Sequence, residues 1–89
     1  MPEIWFTIKN KVGLHARPAS LFVREAAKYK STITVINGET KANAKSILNV
    51  LTLGANLGDK IRVIAEGEDA DAALKALADL NAANYGEPE

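Results

Sequence analysis

The sequence predicts an α+β fold in which a four-stranded antiparallel sheet is covered by three helices on one face, in the order β-α-β-β-α-β-α. Three observations predict it. Residues 3–9 and 60–66 alternate apolar and polar side chains, the period of half-buried strands. Residues 19–26 and 70–80 place apolar side chains three and four apart, the period of helices lying on a sheet. Between these segments a β-branched run leads into Asn37-Gly38, a strong short-range hairpin signal.

In the first strand Ile4, Phe6 and Ile8 share one face, and Glu3, Trp5, Thr7 and Lys9 the other. A loop over residues 10–13 leads to a helix expected over residues 16–28. Pro18 suits its first turn, where the missing N–H has no intrahelical partner. Ala19, Phe22, Val23 and Ala26 form its apolar stripe, Arg24, Glu25 and Lys28 face water, and Lys28 and Lys30 suit the negative end of its dipole. Residues 32–36 form the second strand. A type I′ turn, with positive φ at both Asn37 and Gly38, returns a short third strand from residue 40 to 42 or 43. Ser46 is the N-cap candidate of a short helix over residues 47–53, stopped by Gly54.

Ile61, Val63 and Ala65 alternate with Arg62 and Ile64 in the fourth strand, and the incomplete polar face predicts an interior position. Gly67 ends that strand. Asp69 is expected to cap a last helix striped by Ala70, Ala73, Leu74, Leu77 and Leu80. Residues 1–85 are read as one domain and residues 86–89 as a frayed tail.

A chain of 89 residues buries roughly 60% of the surface its unfolded form exposes, which leaves little room for a deep catalytic cleft. Eleven basic and eleven acidic residues cancel, so net charge does not argue for nucleic acid or an anionic membrane. The absence of cysteine excludes disulfides, thiolate chemistry and cysteine metal sites, and fits a reducing compartment. The opening Met-Pro-Glu-Ile-Trp carries no basic-then-apolar signal, and no stretch approaches the ~18 apolar residues of a membrane span. These features set the expectation of a cytoplasmic monomer that does not insert into membranes.

The chemistry concentrates in Gly13-Leu14-His15-Ala16-Arg17-Pro18-Ala19-Ser20, which holds the single histidine at a helix start. Neutral imidazole carries a lone pair and can attack phosphorus. The product carries about two negative charges, which the first-turn N–H groups of Ala16 and Arg17 and the helix dipole favour by ~0.3–1 kcal/mol at an exposed site. Arg17 adds a forked cation that bonds phosphoryl oxygens in pairs. No general acid or base, ligand cluster, Gly-rich phosphate loop or second histidine accompanies them, and no cofactor or metal is expected. The same residues also suit an ordinary helix start, with His15 a polar cap and Arg17 a solvated cation.

The segment from Gly13 to Ala19 resembles the phosphorylation-site motif of the HPr family, the histidine-containing phosphocarriers of the bacterial phosphoenolpyruvate-dependent sugar phosphotransferase system. Ala44-Lys45-Ser46-Ile47-Leu48 through Thr52-Leu53-Gly54 resembles that family's regulatory-serine segment, and Ala65-Glu66-Gly67-Glu68-Asp69-Ala70 its entry to the last helix. The likeness runs from about Glu3 to Tyr85. It implies an open-faced β-sandwich. It further implies that phospho-enzyme I phosphorylates His15 on Nδ1, that Arg17 steadies the group, and that a sugar-specific IIA domain receives it. The protein would be a carrier, not an enzyme.

Ser46 is implied as a target of a serine kinase/phosphorylase in hosts that have one, with a transcription regulator as a further partner. Ile47, Leu48, Val50, Leu51 and Leu53 are more apolar residues than a short helix can bury. Either all but one pack on the sheet, or, as the resemblance favours, Ile47, Leu48 and Leu51 form a docking patch beside His15. Leu14, Ser20 and Thr52 join that surface, and Arg24, Lys28 and Lys45 form its basic rim. Ala27, Asn49 and Val12 depart from familiar members and bear on partner strength. A regulatory or nitrogen-related relative of the family is the nearest rival. A small single-stranded nucleic-acid binder using Trp5 is the distant one, opposed by zero net charge and the lack of paired aromatics.

Overall fold

The computed structural model describes residues 2–9 and 13–86, so the expected loop at residues 10–12 and the tail at residues 87–89 lie outside the described residues. Four strands, β1 (Glu3–Thr7), β2 (Thr32–Asn37), β3 (Thr40–Asn43) and β4 (Lys60–Glu66), form one antiparallel sheet in the order β1-β4-β2-β3. Helices α1 (Ala16–Ala26), α2 (Ile47–Thr52) and α3 (Ala70–Ala82) are followed by a 3₁₀ turn, Asn84–Gly86. This is the expected open-faced α+β sandwich, with β4 in the interior as its apolar outer face predicted.

Register explains the two faces. Ile4, Val63, Val35 and Ala42 stand opposite one another across all four strands, and Val63, Val35 and Ala42 are buried beneath the helices with Phe22, Ala26, Val50 and Leu77. One residue along, Trp5, Arg62, Ile36 and Lys41 line the other face. Trp5 is 62% exposed there, with the Arg62 guanidinium 6.0 Å from its ring centroid and paired with Glu3.

Element ends differ from the sequence reading for identifiable reasons. β1 stops at Thr7 because the backbone of Ile8 turns to the loop before β4, its N–H donating to Asp59 O and its carbonyl accepting from Gly58 N, both at 2.9 Å. α1 ends at Ala26, where Lys28 and Tyr29 donate to carbonyls three residues back and tighten the chain out of the α-helix. The hairpin turn is Gly38-Glu39 and not the expected type I′ Asn37-Gly38. Asn37 pairs with Thr40 in the ladder, and of the two turn residues only Gly38 has positive φ, +63°, the sign pattern of a II′ turn.

Asp69 corrects a second expectation. It occupies the N-cap position of α3 but makes no side-chain cap bond. Its carboxylate instead accepts the backbone N–H groups of Lys30 (2.8 Å) and Ser31 (3.0 Å) and the Ser31 hydroxyl. The end of the 1–85 segment packs back onto the sheet. Tyr85 is buried in the left-handed region (φ +54°), and its hydroxyl donates to Asn81 Oδ1 at 3.1 Å. Asn81 Nδ2 in turn donates to the Thr7 carbonyl at 3.0 Å, tying α3 and the 3₁₀ turn to β1. Burial pushes the Tyr85 phenol well above its usual pKa.

Candidate functional site

α1 is held on the sheet by Pro18, Ala19, Phe22 and Ala26, all buried, which leaves Ala16 and Arg17 of the first turn exposed. His15 stands at the N-cap with an extended backbone (φ −82°, ψ −171°), its carbonyl accepting the Ala19 N–H at 2.9 Å. The imidazole makes no capping bond, so the cap reading of this residue is set aside. Within the helix the N–H groups of Ala16 and Arg17 have no acceptor, and Pro18 contributes none. No acidic side chain lies in the first turn. A half-buried imidazole therefore sits at a positive helix end, with an exposed guanidinium two residues on and no acidic side chain in the first turn.

The position of His15 is set from behind. Leu14, 5% exposed, packs in the core, so its side chain lies beneath the site and not on the docking face expected for it. Its N–H donates to the carbonyl of Ala55 at 2.9 Å. Gly13 makes that approach possible: φ is +72°, and a Cβ there would lie 2.2 Å from the Ala55 oxygen. Ala55 follows the C-terminus of α2 closely, so the residue before His15 and the exit of α2 are one hydrogen bond apart.

More than one apolar residue of α2 stays off the sheet. Val50 and Leu53 are buried, while Ile47 (38%), Leu48 (73%) and Leu51 (37%) are exposed. Ser46 is the N-cap, accepting the Asn49 N–H at 3.4 Å, and Gly54 ends the element at φ +57°. Thr52 is exposed and donates to the Asn49 carbonyl at 2.6 Å; Ser20 is half-buried. Of the expected basic rim, Arg24 and Lys28 are exposed, the latter paired with Glu25 at 3.2 Å. Lys45 is half-buried and donates to the Tyr29 carbonyl at 2.7 Å, fastening the entry of α2 to the end of α1.

The sequence reading missed Asn37, Asp59 and the Gly13 to Ala55 contact. Asn37 Nδ2 donates to Leu53 O (3.0 Å) and Asp59 Oδ2 (3.3 Å), and Asp59 Oδ2 also accepts the Asn56 N–H (2.9 Å). An Asn and an Asp three apart at 56 and 59, the spacing of a side-chain-closed turn, were the available signal. Among the described residues no group of three His, Cys, Asp or Glu could hold a metal, and no helix is long and apolar enough to cross a membrane.

The described residues form an open-faced sandwich with His15 at the N-terminus of α1 and exposed apolar residues on α2. The family described as PTS HPr component phosphorylation site matches residues 3–83. The chain is 49% identical over 70 residues to the phosphocarrier protein HPr of Mycoplasma capricolum, covering 79% of each. It is 47% identical, with a TM-score of 0.96 and complete coverage of both chains, to the crystal structure of HPr-C-His from Thermoanaerobacter tengcongensis. It also resembles a multiphosphoryl transfer protein of Salmonella typhimurium at 45% identity over 85 residues, 92% of this chain but 23% of that protein. The chain belongs to the HPr family of phosphotransferase-system phosphocarriers, which carry a phosphoryl group and are not enzymes in their own right.

Proposed function

We propose that His15 accepts a phosphoryl group on Nδ1 from phospho-enzyme I and passes it to a sugar-specific IIA domain, in the cytoplasm and as a monomer. The observation that carries this is His15 at the extended N-cap of α1, with Arg17 exposed in an acid-free first turn. In the first transfer the Nδ1 lone pair forms a P–N bond as the donor's bond to phosphorus breaks, and the donor nitrogen keeps that electron pair. The Ala16 and Arg17 N–H groups and the Arg17 guanidinium take up the charge of the phosphoryl oxygens. Onward transfer is the same exchange with the roles reversed, so the carrier ends each cycle unchanged.

Docking falls to Ile47, Leu48 and Leu51, with Ser20 and Thr52 as further contacts and Arg24 and Lys28 as the basic rim. Ser46 is the regulatory position. A phosphate there adds about two negative charges at the entry of α2, where the helix end tolerates it and an incoming acidic partner does not. Retention of both His15 and Arg17 supports transfer competence over a purely regulatory use. Incubation with enzyme I and phosphoenolpyruvate, followed by intact mass, tests the proposal. One added phosphoryl group that disappears in His15→Ala is expected; no addition, or addition that survives the substitution, would refute it.

A further inference from the structure

The peptide unit joining Ala55 to Asn56 is gripped on both sides. Its carbonyl accepts the N–H of Leu14 at 2.9 Å, and its N–H donates to Asp59 Oδ2 at 2.9 Å. In a trans peptide these two groups point in opposite directions, so one plane links the Asp59 carboxylate to the backbone immediately before His15. Bonding to an ionised acceptor polarises the peptide and strengthens the bond its carbonyl accepts. Asp59 is itself anchored. Its N–H donates to Asn56 O, its carbonyl accepts from Ile8 N, and Asn37 Nδ2 reaches the same carboxylate oxygen at 3.3 Å while also holding the Leu53 carbonyl.

The consequence concerns placement. The backbone before His15 and the last turn of α2 are both referred to the same half-buried carboxylate, through Ala55 in one direction and through Asn37 and Leu53 in the other. Gly13 adds a steric term, because its Cα faces the Ala55 oxygen at a separation that admits no Cβ. We propose that Asp59 is a positioning residue for phosphoryl transfer at His15, fixing the nucleophile against the apolar docking face of α2. The inference rests on the reading of His15 as the acceptor. Asp59 touches neither the phosphoryl group nor the imidazole in this scheme. It sets the angle at which a docked donor meets Nδ1, a quantity to which transfer rates are steeply sensitive.

The test follows single-turnover transfer from phospho-enzyme I to wild type, Asp59→Ala, Asp59→Asn, Asn37→Ala and Asp69→Ala, well below every melting temperature. Asp59→Ala is expected to slow transfer by about 10- to 100-fold. The loss should fall on the rate at saturating carrier more than on the concentration needed to reach it, since the apolar face is retained. Asp59→Asn keeps an acceptor for the Asn56 N–H and restores most of the rate. Asp69→Ala removes the hydrogen bonds to Lys30 and Ser31, beyond the C-terminal end of α1 and so at the opposite end of that helix from His15, and transfers at the wild-type rate, which separates positioning from general destabilisation. Wild-type transfer by a folded Asp59→Ala protein would overturn the inference. Should that variant not fold, an unimpaired rate in Asn37→Ala would do so. Failure of wild type itself to accept phosphate on His15 would instead overturn the assignment of the acceptor.

Discussion

Asp69 and Ser31, 38 residues apart, are joined by two hydrogen bonds, the serine N–H and hydroxyl both donating to Asp69 Oδ1. Ser31 is 1% exposed, and Gly67 packs so closely on it that a Cβ would lie 2.6 Å from its hydroxyl oxygen. The Ser31 hydroxyl, followed by the Lys30 N–H, holds the Asp69 carboxyl below the usual aspartate pKa. A carboxyl depressed in the folded state adds stability above the ordinary aspartate value near ~4, and that stability is lost as pH falls through the depressed one. Asp69→Ala should lower Tm by roughly 5 °C or more at pH 7, because buried donors lose their acceptor. The gap to wild type should close in melts taken at successively lower pH below ~4. A gap independent of pH would refute the role of the ionised carboxylate.

Gly13 and Gly38 both adopt positive φ, +72° and +63°, yet only Gly13 meets another backbone within the reach of a Cβ. Gly38→Ala should therefore cost only the left-handed backbone penalty, about 1 kcal/mol. Gly13→Ala adds a collision with the Ala55 carbonyl and should cost ~2 kcal/mol or more, together with slower phosphoryl acceptance as the Leu14 to Ala55 bond is displaced. Urea titrations of the two variants compare these costs directly.

Leu48 is 73% exposed, whereas Val50 two residues on is fully buried. Leu48→Ser should leave stability within about 0.5 kcal/mol of wild type. It should raise the carrier concentration needed for half-maximal transfer from enzyme I about ten-fold, corresponding to ~1.4 kcal/mol of docking energy. Val50→Ala should do the reverse, destabilising the fold by ~1–2 kcal/mol with little change in that concentration. Initial-rate measurements on the two folded variants separate docking from core packing.

What was legible in the sequence were the features that act over short range. The strand alternation around Ile61 and Val63, the stripe from Ala70 to Leu77 and the Ser46 cap each follow from neighbours within a few residues, and all three hold. Local rules fail where a distant group competes for the same atom. Asp69 would cap α3 if only its neighbours counted, but the turn after α1 offers three donors. Asn37 would take the left-handed turn position, but in the ladder its amide reaches Leu53 and Asp59, and Gly38 takes the strained φ at no steric cost. At the site, the motif marked His15 and Arg17, while the loop that seats them, built on Asp59, lies more than forty residues away in sequence and became visible only when the chain was folded.

The most direct test of the central claim is nitrogen-15 NMR of the single imidazole after reaction with enzyme I and phosphoenolpyruvate. Attachment of phosphorus at Nδ1 of His15 is expected, acid-labile and base-stable, with formation slowed at least ten-fold in Arg17→Ala if the guanidinium bonds the transferring oxygens in pairs. Phosphorus at Nε2, or an unmodified ring in a protein that has gained a phosphoryl group elsewhere, would contradict it.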